Sequence, residues 1–204
     1  MRIVLTGTPG TGKTSMATQL AKLAGGPLID LNAFARKNKL FLKEKGAFGE
    51  SVVNVEKMEK LLAAALRNEK NFVVEGHLAC EFSVPADAIV VLRCDPRVLK
   101  KRLEERKYPV DKIRENVLAE LLDYCLIKSE QNYGRGAVLQ LDATRGLSAK
   151  QVFAKAKAKK GDRVDWSKQL LEPKQIEFLL AEAESARSKP RRRLAEGSKP
   201  LKTQ

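Results

Sequence analysis

Residues Gly7 to Thr14 read Gly-Thr-Pro-Gly-Thr-Gly-Lys-Thr, meeting the spacing GxxxxGK[ST] at every position. Each residue type has a chemical task. Gly7, Gly10 and Gly12 let the backbone turn tightly and bring its N–H groups against a phosphate chain. Lys13 adds a mobile positive charge able to reach the β- and γ-phosphates. Thr14 offers a hydroxyl to a hard cation such as Mg²⁺. Such a loop works only between a strand and a helix whose positive dipole end faces the anion. Both flanks are present: Arg2-Ile3-Val4-Leu5 is a short apolar run of strand type, and Lys13 to Leu23 is amphipathic. A chance Gly-rich turn would match the glycines without this context. The motif therefore points to a bound nucleoside triphosphate.

The elements that must position this loop follow in alternation. Gly25-Gly26-Pro27 breaks the first helix, and Leu28 to Leu31 reads as a short strand. Asn32 to Lys45 is expected to be helical and exposed. Val55 to Asn68 is a stronger helix, with Val55, Met58, Leu61, Leu62, Ala65 and Leu66 at helical spacing. Strands are predicted at Asn71 to Val74, Ala88 to Leu92 and Ala137 to Leu141. Helices are predicted at Pro96 to Arg106, at Ile113 to Ile127 as one long element, and at Ser148 to Lys159. Continuously apolar strands alternating with helices define an α/β protein, with a parallel sheet covered on both faces. Right-handed crossovers then gather the loops after the strands along one edge, where the nucleotide lies.

A boundary is expected near Gly161, separating a domain of residues 1–160 from an extension of residues 161–204. Val164-Asp165-Trp166-Ser167 and Gln169-Leu170-Leu171 form a segment able to pack back on the domain. Ile176, Leu179, Leu180 and Ala183 make one stripe of an amphipathic helix. From Ser185 onward the composition, with the Arg191-Arg192-Arg193 triplet, is that of a disordered basic tail. Two readings of the tail stand side by side: a flexible end without a partner, and an arm for polyanions.

Thirty-nine basic residues against 25 acidic ones give a formal net charge of +14. An excess of that size creates a long-range field attracting polyanions, nucleic acid above all, and says nothing of sequence-specific readout. No apolar run approaches the roughly 18 residues that span a bilayer. With the phosphate loop beginning at residue 7, there is no room for a signal peptide, and a cytoplasmic protein is expected. Cys80, Cys94 and Cys125 are odd in number and widely spaced, so buried free thiols are expected rather than disulfides or a metal site.

Further along, Val73-Val74-Glu75-Gly76-His77 places an acid after a strong strand. Leu92-Arg93-Cys94-Asp95-Pro96 precedes Arg102-Leu103-Glu104-Glu105-Arg106-Lys107-Tyr108-Pro109, and Lys112 to Glu120 follows. This series resembles the adenylate kinase isoenzyme six family, its archaeal branch in particular, from residue 1 to about residue 155. The resemblance implies a P-loop NTPase of nucleoside monophosphate kinase type, with a five-stranded parallel sheet, a monophosphate-binding segment and a short lid. It implies transfer of the γ-phosphoryl from ATP to AMP. It also implies Mg²⁺-dependent ATP hydrolysis in late maturation of the small ribosomal subunit and its rRNA, with a small-subunit ribosomal protein as partner.

Within that resemblance Gly10, Gly12, Lys13, Thr14 and Ser15 hold the donor phosphates, and Arg36 matches the arginine on the acceptor monophosphate. Arg102 and Arg106, four apart on one helix face, stabilise the charge of the transferring group, and Arg106 begins the lid. The alternative for this pair is a solvated basic face. Glu75 orients Mg²⁺ where eukaryotic relatives carry Asp. His77, the only histidine, is either a satisfied structural residue or the group that positions an attacking water. One departure is marked: Lys37, Lys39, Lys43 and Lys45 make basic a segment that the family keeps acidic, with only Glu44 and Glu50 in place of its aspartates. The segment Leu141-Asp142-Ala143-Thr144-Arg145-Gly146 loosely resembles the family's loop on the nucleobase side.

Overall fold

The computed structural model describes residues 1–45 and 51–187. Glu50, the side chains of Lys43, Glu44, Lys45, Leu180 and Ala183, and the tail from residue 188 with its arginine triplet lie outside the described residues.

Five strands, β1 (Arg2–Gly7), β2 (Leu28–Asp30), β5 (Phe72–Glu75), β6 (Ala88–Arg93) and β7 (Val138–Asp142), form one parallel sheet in the order β2-β5-β1-β6-β7. The strand alternation sends side chains to two cores. Ile3, Leu5, Val73, Val90 and Leu92 face Met16 and Leu20 of α1 (Lys13–Ala24) and Val152 and Ala156 of α7 (Ala149–Ala158). Val4, Phe72, Val74 and Ile89 face the other way. They pack on Leu31 and Ala35 of α2 (Leu31–Lys37) and on Met58, Leu62 and Leu66 of α3 (Val55–Leu66). Both faces are thus covered, as continuously apolar strands require.

A third cluster joins Leu99 and Leu103 of α4 (Pro96–Glu105) to Ile113, Val117 and Leu121 of α5 (Val110–Leu121). Trp166, Phe178 and Leu179, all beyond Gly161, pack into this same cluster. Trp166 directly precedes the short α8 (Ser167–Leu170), and the last two lie on α9 (Pro173–Arg187). The buried side of α9 carries Gln175, Phe178 and Leu179, whereas Ile176 is exposed, so its packed face is turned from the stripe read in the sequence. Lys100 stands 3.9 Å over the Phe178 ring and Arg114 Nε donates to the Phe178 carbonyl at 3.0 Å, which selects that face. The helix also runs to Arg187, past Ser185 where a disordered tail is expected.

Two other expectations are corrected. The segment 32–45 is not one helix. Its helical part ends at Lys37, where Asn38 Nδ2 donates to the Phe34 carbonyl at 2.8 Å and Lys39 takes φ 52°. The chain then enters β3 (Phe41–Lys45), which pairs antiparallel with β4 (Ser51–Val53). The long helix expected over 113–127 is two: α5 stops before Asp123, which adopts φ 55°, and α6 (Tyr124–Tyr133) starts anew. Asp is among the residues that tolerate this left-handed conformation. Its carboxylate there pairs with the guanidinium of buried Arg93, which gives the break a physical reason.

Candidate active site

The loop from Gly7 to Thr14 leaves β1 at the carboxyl edge of the sheet. Gly7 takes φ 133° and sits against β6, where a Cβ would meet the Leu92 carbonyl oxygen at 2.4 Å. Gly12, at φ 99° and ψ 11°, turns the chain into α1. No other residue type fits either place without strain.

Lys13 Nζ donates to the carbonyls of Gly7 at 2.7 Å and Thr8 at 3.0 Å, and its burial lowers its pKa. Thr11 Oγ1 also donates to the Thr8 carbonyl, at 2.9 Å. Thr14 Oγ1 reaches Oε1 of Glu75 at 3.3 Å. That carboxylate, at the end of β5, is 5% exposed. Burial raises its pKa most, the nearby Lys13 opposes the rise, and Asp30 on the neighbouring strand adds to it. Thr14 and Glu75 thus bring a hydroxyl and a carboxylate together, the hard oxygen donors that suit Mg²⁺. Among the described residues no group of three His, Cys, Asp or Glu side chains could hold a metal ion.

The loop opens into a cleft of about 660 Å³. Gly10, Gly12, Lys13, Thr14 and Ser15 line it, together with Arg106, Glu75 and His77. Asn32 of α2, Phe41 of β3 and Val53 of β4 make a further wall of the same cleft. Tyr108, ahead of α5, and Lys112 and Asn116 within it line the cleft as well. His77 opens a one-turn 3₁₀ helix, and its backbone carbonyl accepts from Thr6 Oγ1 at 3.1 Å. Its imidazole is pushed down to about 4, by burial first and by Lys13 second, so it is uncharged at neutral pH.

Of the residues singled out in the sequence, the cleft therefore gathers Gly10, Gly12, Lys13, Thr14, Ser15, Glu75, His77 and Arg106. Arg102 lies elsewhere. Its guanidinium donates to the carbonyls of Ala143 at 3.1 Å and Thr144 at 2.8 Å, tying α4 to the loop after β7. It lines a second hollow of about 220 Å³ with Gly12, Arg106, Gly146 and Leu147. Arg36 is exposed and is not among the cleft's lining residues; Asn32, one turn earlier on α2, is. The β3–β4 wall was missed because Leu40-Phe41-Leu42 carries no alternation to separate strand from helix. Asp30 was missed too, although an acid between a strand and a helix is a capping signal; its carboxylate accepts from the amides of Asn32 and Ala33 at 2.8 and 3.1 Å.

A parallel five-stranded sheet with this loop, lysine and carboxylate at one edge defines a P-loop protein of kinase type. The family described as "AAA domain" matches residues 3–123. A protein of Methanocaldococcus jannaschii named "Putative adenylate kinase" is 38% identical over 144 residues, covering 71% of this chain and 77% of its own length. A protein of the same name from Archaeoglobus fulgidus is 34% identical over 181 residues, 83% of this chain and 94% of its own. The chain belongs to this archaeal adenylate kinase family of P-loop proteins. A shikimate kinase from Bacteroides thetaiotaomicron shares the fold, with a TM-score of 0.51 at 21% identity over 78% of this chain and 95% of that one. Among the described residues no helix is long and apolar enough to cross a membrane, and the three cysteines are buried and free.

Proposed function

We propose that this chain is a Mg²⁺-dependent nucleoside monophosphate kinase that transfers the γ-phosphoryl of ATP to AMP. The observation that carries the reading is that α2, β3 and β4 line the same cleft as the phosphate loop. A bare ATPase needs only the phosphate loop and a water, yet the cleft runs on past Glu75 to Asn32, Phe41 and Val53. That leaves room for an acceptor facing the donor. The name carried by the relatives supports AMP as that acceptor.

Phosphoryl transfer needs alignment and charge neutralisation more than covalent help. The loop amides and Lys13 hold the donor phosphates, and Arg106 at the cleft rim meets the charge of the transferring group. Thr14 and Glu75 would hold Mg²⁺, which when bound would supply further neutralisation. Arg102 keeps the loop after β7 against α4, shaping the smaller hollow beside Gly12 for the nucleobase. Arg36, exposed on α2 one turn beyond the cleft residue Asn32, is the group assigned to the acceptor phosphate. On this reading residues 1–160 form the kinase domain and 161–204 an extension.

A second activity has its own support. His77 lines the cleft uncharged, so its imidazole can accept a hydrogen bond from water and direct it at the γ-phosphate. ATP hydrolysis follows, and the net charge of +14 supports its use in the cytoplasm on an RNA-rich partner, the maturing small ribosomal subunit with its rRNA and a ribosomal protein. The test is ADP formation from ATP and Mg²⁺ by the purified full chain, with and without AMP. AMP-dependent ADP formation, reversible from ADP, supports the kinase. Slow hydrolysis indifferent to AMP removes the acceptor site and leaves an assembly ATPase.

A further inference from the structure

The buried polar cluster behind the phosphate loop centres on Glu120, a residue of α5 that lies outside the cleft and is 2% exposed. Its Oε2 accepts from Thr8 Oγ1 at 2.7 Å. Its Oε1 accepts from Arg93 Nε at 2.8 Å, from the Cys94 amide at 3.1 Å and from Trp166 Nε1 at 3.1 Å. One carboxylate thus joins the phosphate loop, the end of β6, α5 and the extension beyond Gly161. Thr8 is the loop's own hub, because its carbonyl takes both Lys13 Nζ and Thr11 Oγ1.

We propose that Glu120 is a positioning residue for the phosphate-binding loop, acting through Thr8, with Trp166 as the outer member of that support. The inference rests on the nucleotide-binding reading given above. A buried carboxylate bonded to a hydroxyl holds it more tightly than water or a neutral partner does. Fixing the Thr8 side chain fixes the carbonyl that seats Lys13. When phosphates draw the Lys13 ammonium towards themselves, the change at Thr8 passes to Glu120, and the indole N–H on the same carboxylate registers it. The extension is on this view part of the loop's scaffold rather than an appendage.

Glu120→Gln removes the buried one of the two carboxylates paired with Arg93 and threatens the fold, so Thr8→Val, which keeps shape and removes only the hydroxyl, is the decisive variant. The probe is MgADP binding to the full chain by calorimetry, with Trp166 emission read in parallel; it is the only tryptophan. Thr8→Val is expected to bind MgADP about tenfold more weakly, with kcat lowered and the KM for AMP unchanged; its thermal stability falls because Glu120 Oε2 loses its donor, while Thr8→Ser restores both stability and affinity, the latter to within about twofold. Trp166 emission is expected to change saturably with MgADP in the wild type and in Thr8→Ser. Affinity of Thr8→Val within about twofold of wild type, or emission constant while calorimetry reports saturation, overturns the positioning role alone. A wild-type chain that binds no MgADP at all overturns the nucleotide reading, and this inference with it.

Discussion

His77 provides a test of the cleft's electrostatics that needs no substrate. Burial and the neighbouring Lys13 ammonium push its imidazole from the usual 6.5 down to about 4. The sign follows from linkage: between those two values the unfolded chain binds a proton that the folded chain refuses. Stability is therefore undiminished above pH 6.5, falls as pH drops through the window, and has lost its full share below about 4. The whole shift corresponds to about 3 kcal/mol, of which about 2 kcal/mol is gone by pH 5. Solvent in the cleft screens part of this, so these are ceilings. The assay is urea unfolding of wild type and His77→Gln between pH 8 and 4.5. Carboxylates titrate in both chains, and the difference between them isolates the imidazole. The wild type should lose about 1–2 kcal/mol more than the variant on going to pH 5. As the chain's only histidine, it also gives one assignable imidazole resonance. A midpoint near 6.5 in that titration, with parallel stability curves, would refute the burial argument.

The remaining expectations concern activity and partners. Lys13→Ala should abolish both transfer and hydrolysis, because burial of its ammonium against the loop leaves no other side chain to replace it; wild-type turnover in a coupled ADP assay counts against the loop's role. Arg36→Ala should lower transfer to AMP while sparing basal hydrolysis, and equal loss of both argues against an acceptor role. Deleting residues 188–204 should leave kinase activity intact and weaken RNA binding, with a shallower dependence of log K on log salt from the lost phosphate contacts. Unchanged RNA affinity leaves the tail without that role.

Local pattern carried most of the fold. The inner strands β1, β5 and β6 are short runs whose apolar residues serve both sheet faces, and turn residues mark their ends, so their existence was readable without tertiary information. That the loop would line the candidate cleft was readable for a related reason: Gly7 to Thr14 is contiguous, and the motif is recognised from spacing alone. What escaped was set by distant partners. The break at Asp123 depends on Arg93, thirty positions away. The rotation of α9 depends on Lys100 and Arg114. The β3–β4 wall depends on β3 pairing with β4 across residues with no helical or alternating signature. Glu120 is not marked out in the sequence, since nothing local distinguishes a carboxylate that binds Thr8, Arg93 and Trp166 from one facing water.

Arg93 and Glu120 are 1% and 2% exposed and meet at 2.8 Å. Arg93 also donates to Gln140 Oε1 at 3.1 Å and to the Glu120 carbonyl at 3.2 Å, besides its contact with Asp123. Two charges withdrawn from water recover their hydration only through such partners, so a pair of this kind adds little net stability and makes each member dependent on the other. Arg93→Leu strands a buried carboxylate and should cost about 3–5 kcal/mol in urea unfolding. Arg93→Leu combined with Glu120→Leu removes both charges, and should lose much less than the sum of the single changes. Additive losses in this cycle would mean that the two side chains are held by their separate neighbours. Strong non-additivity instead makes the pair one unit, coupling β6 to α5 directly behind the phosphate loop.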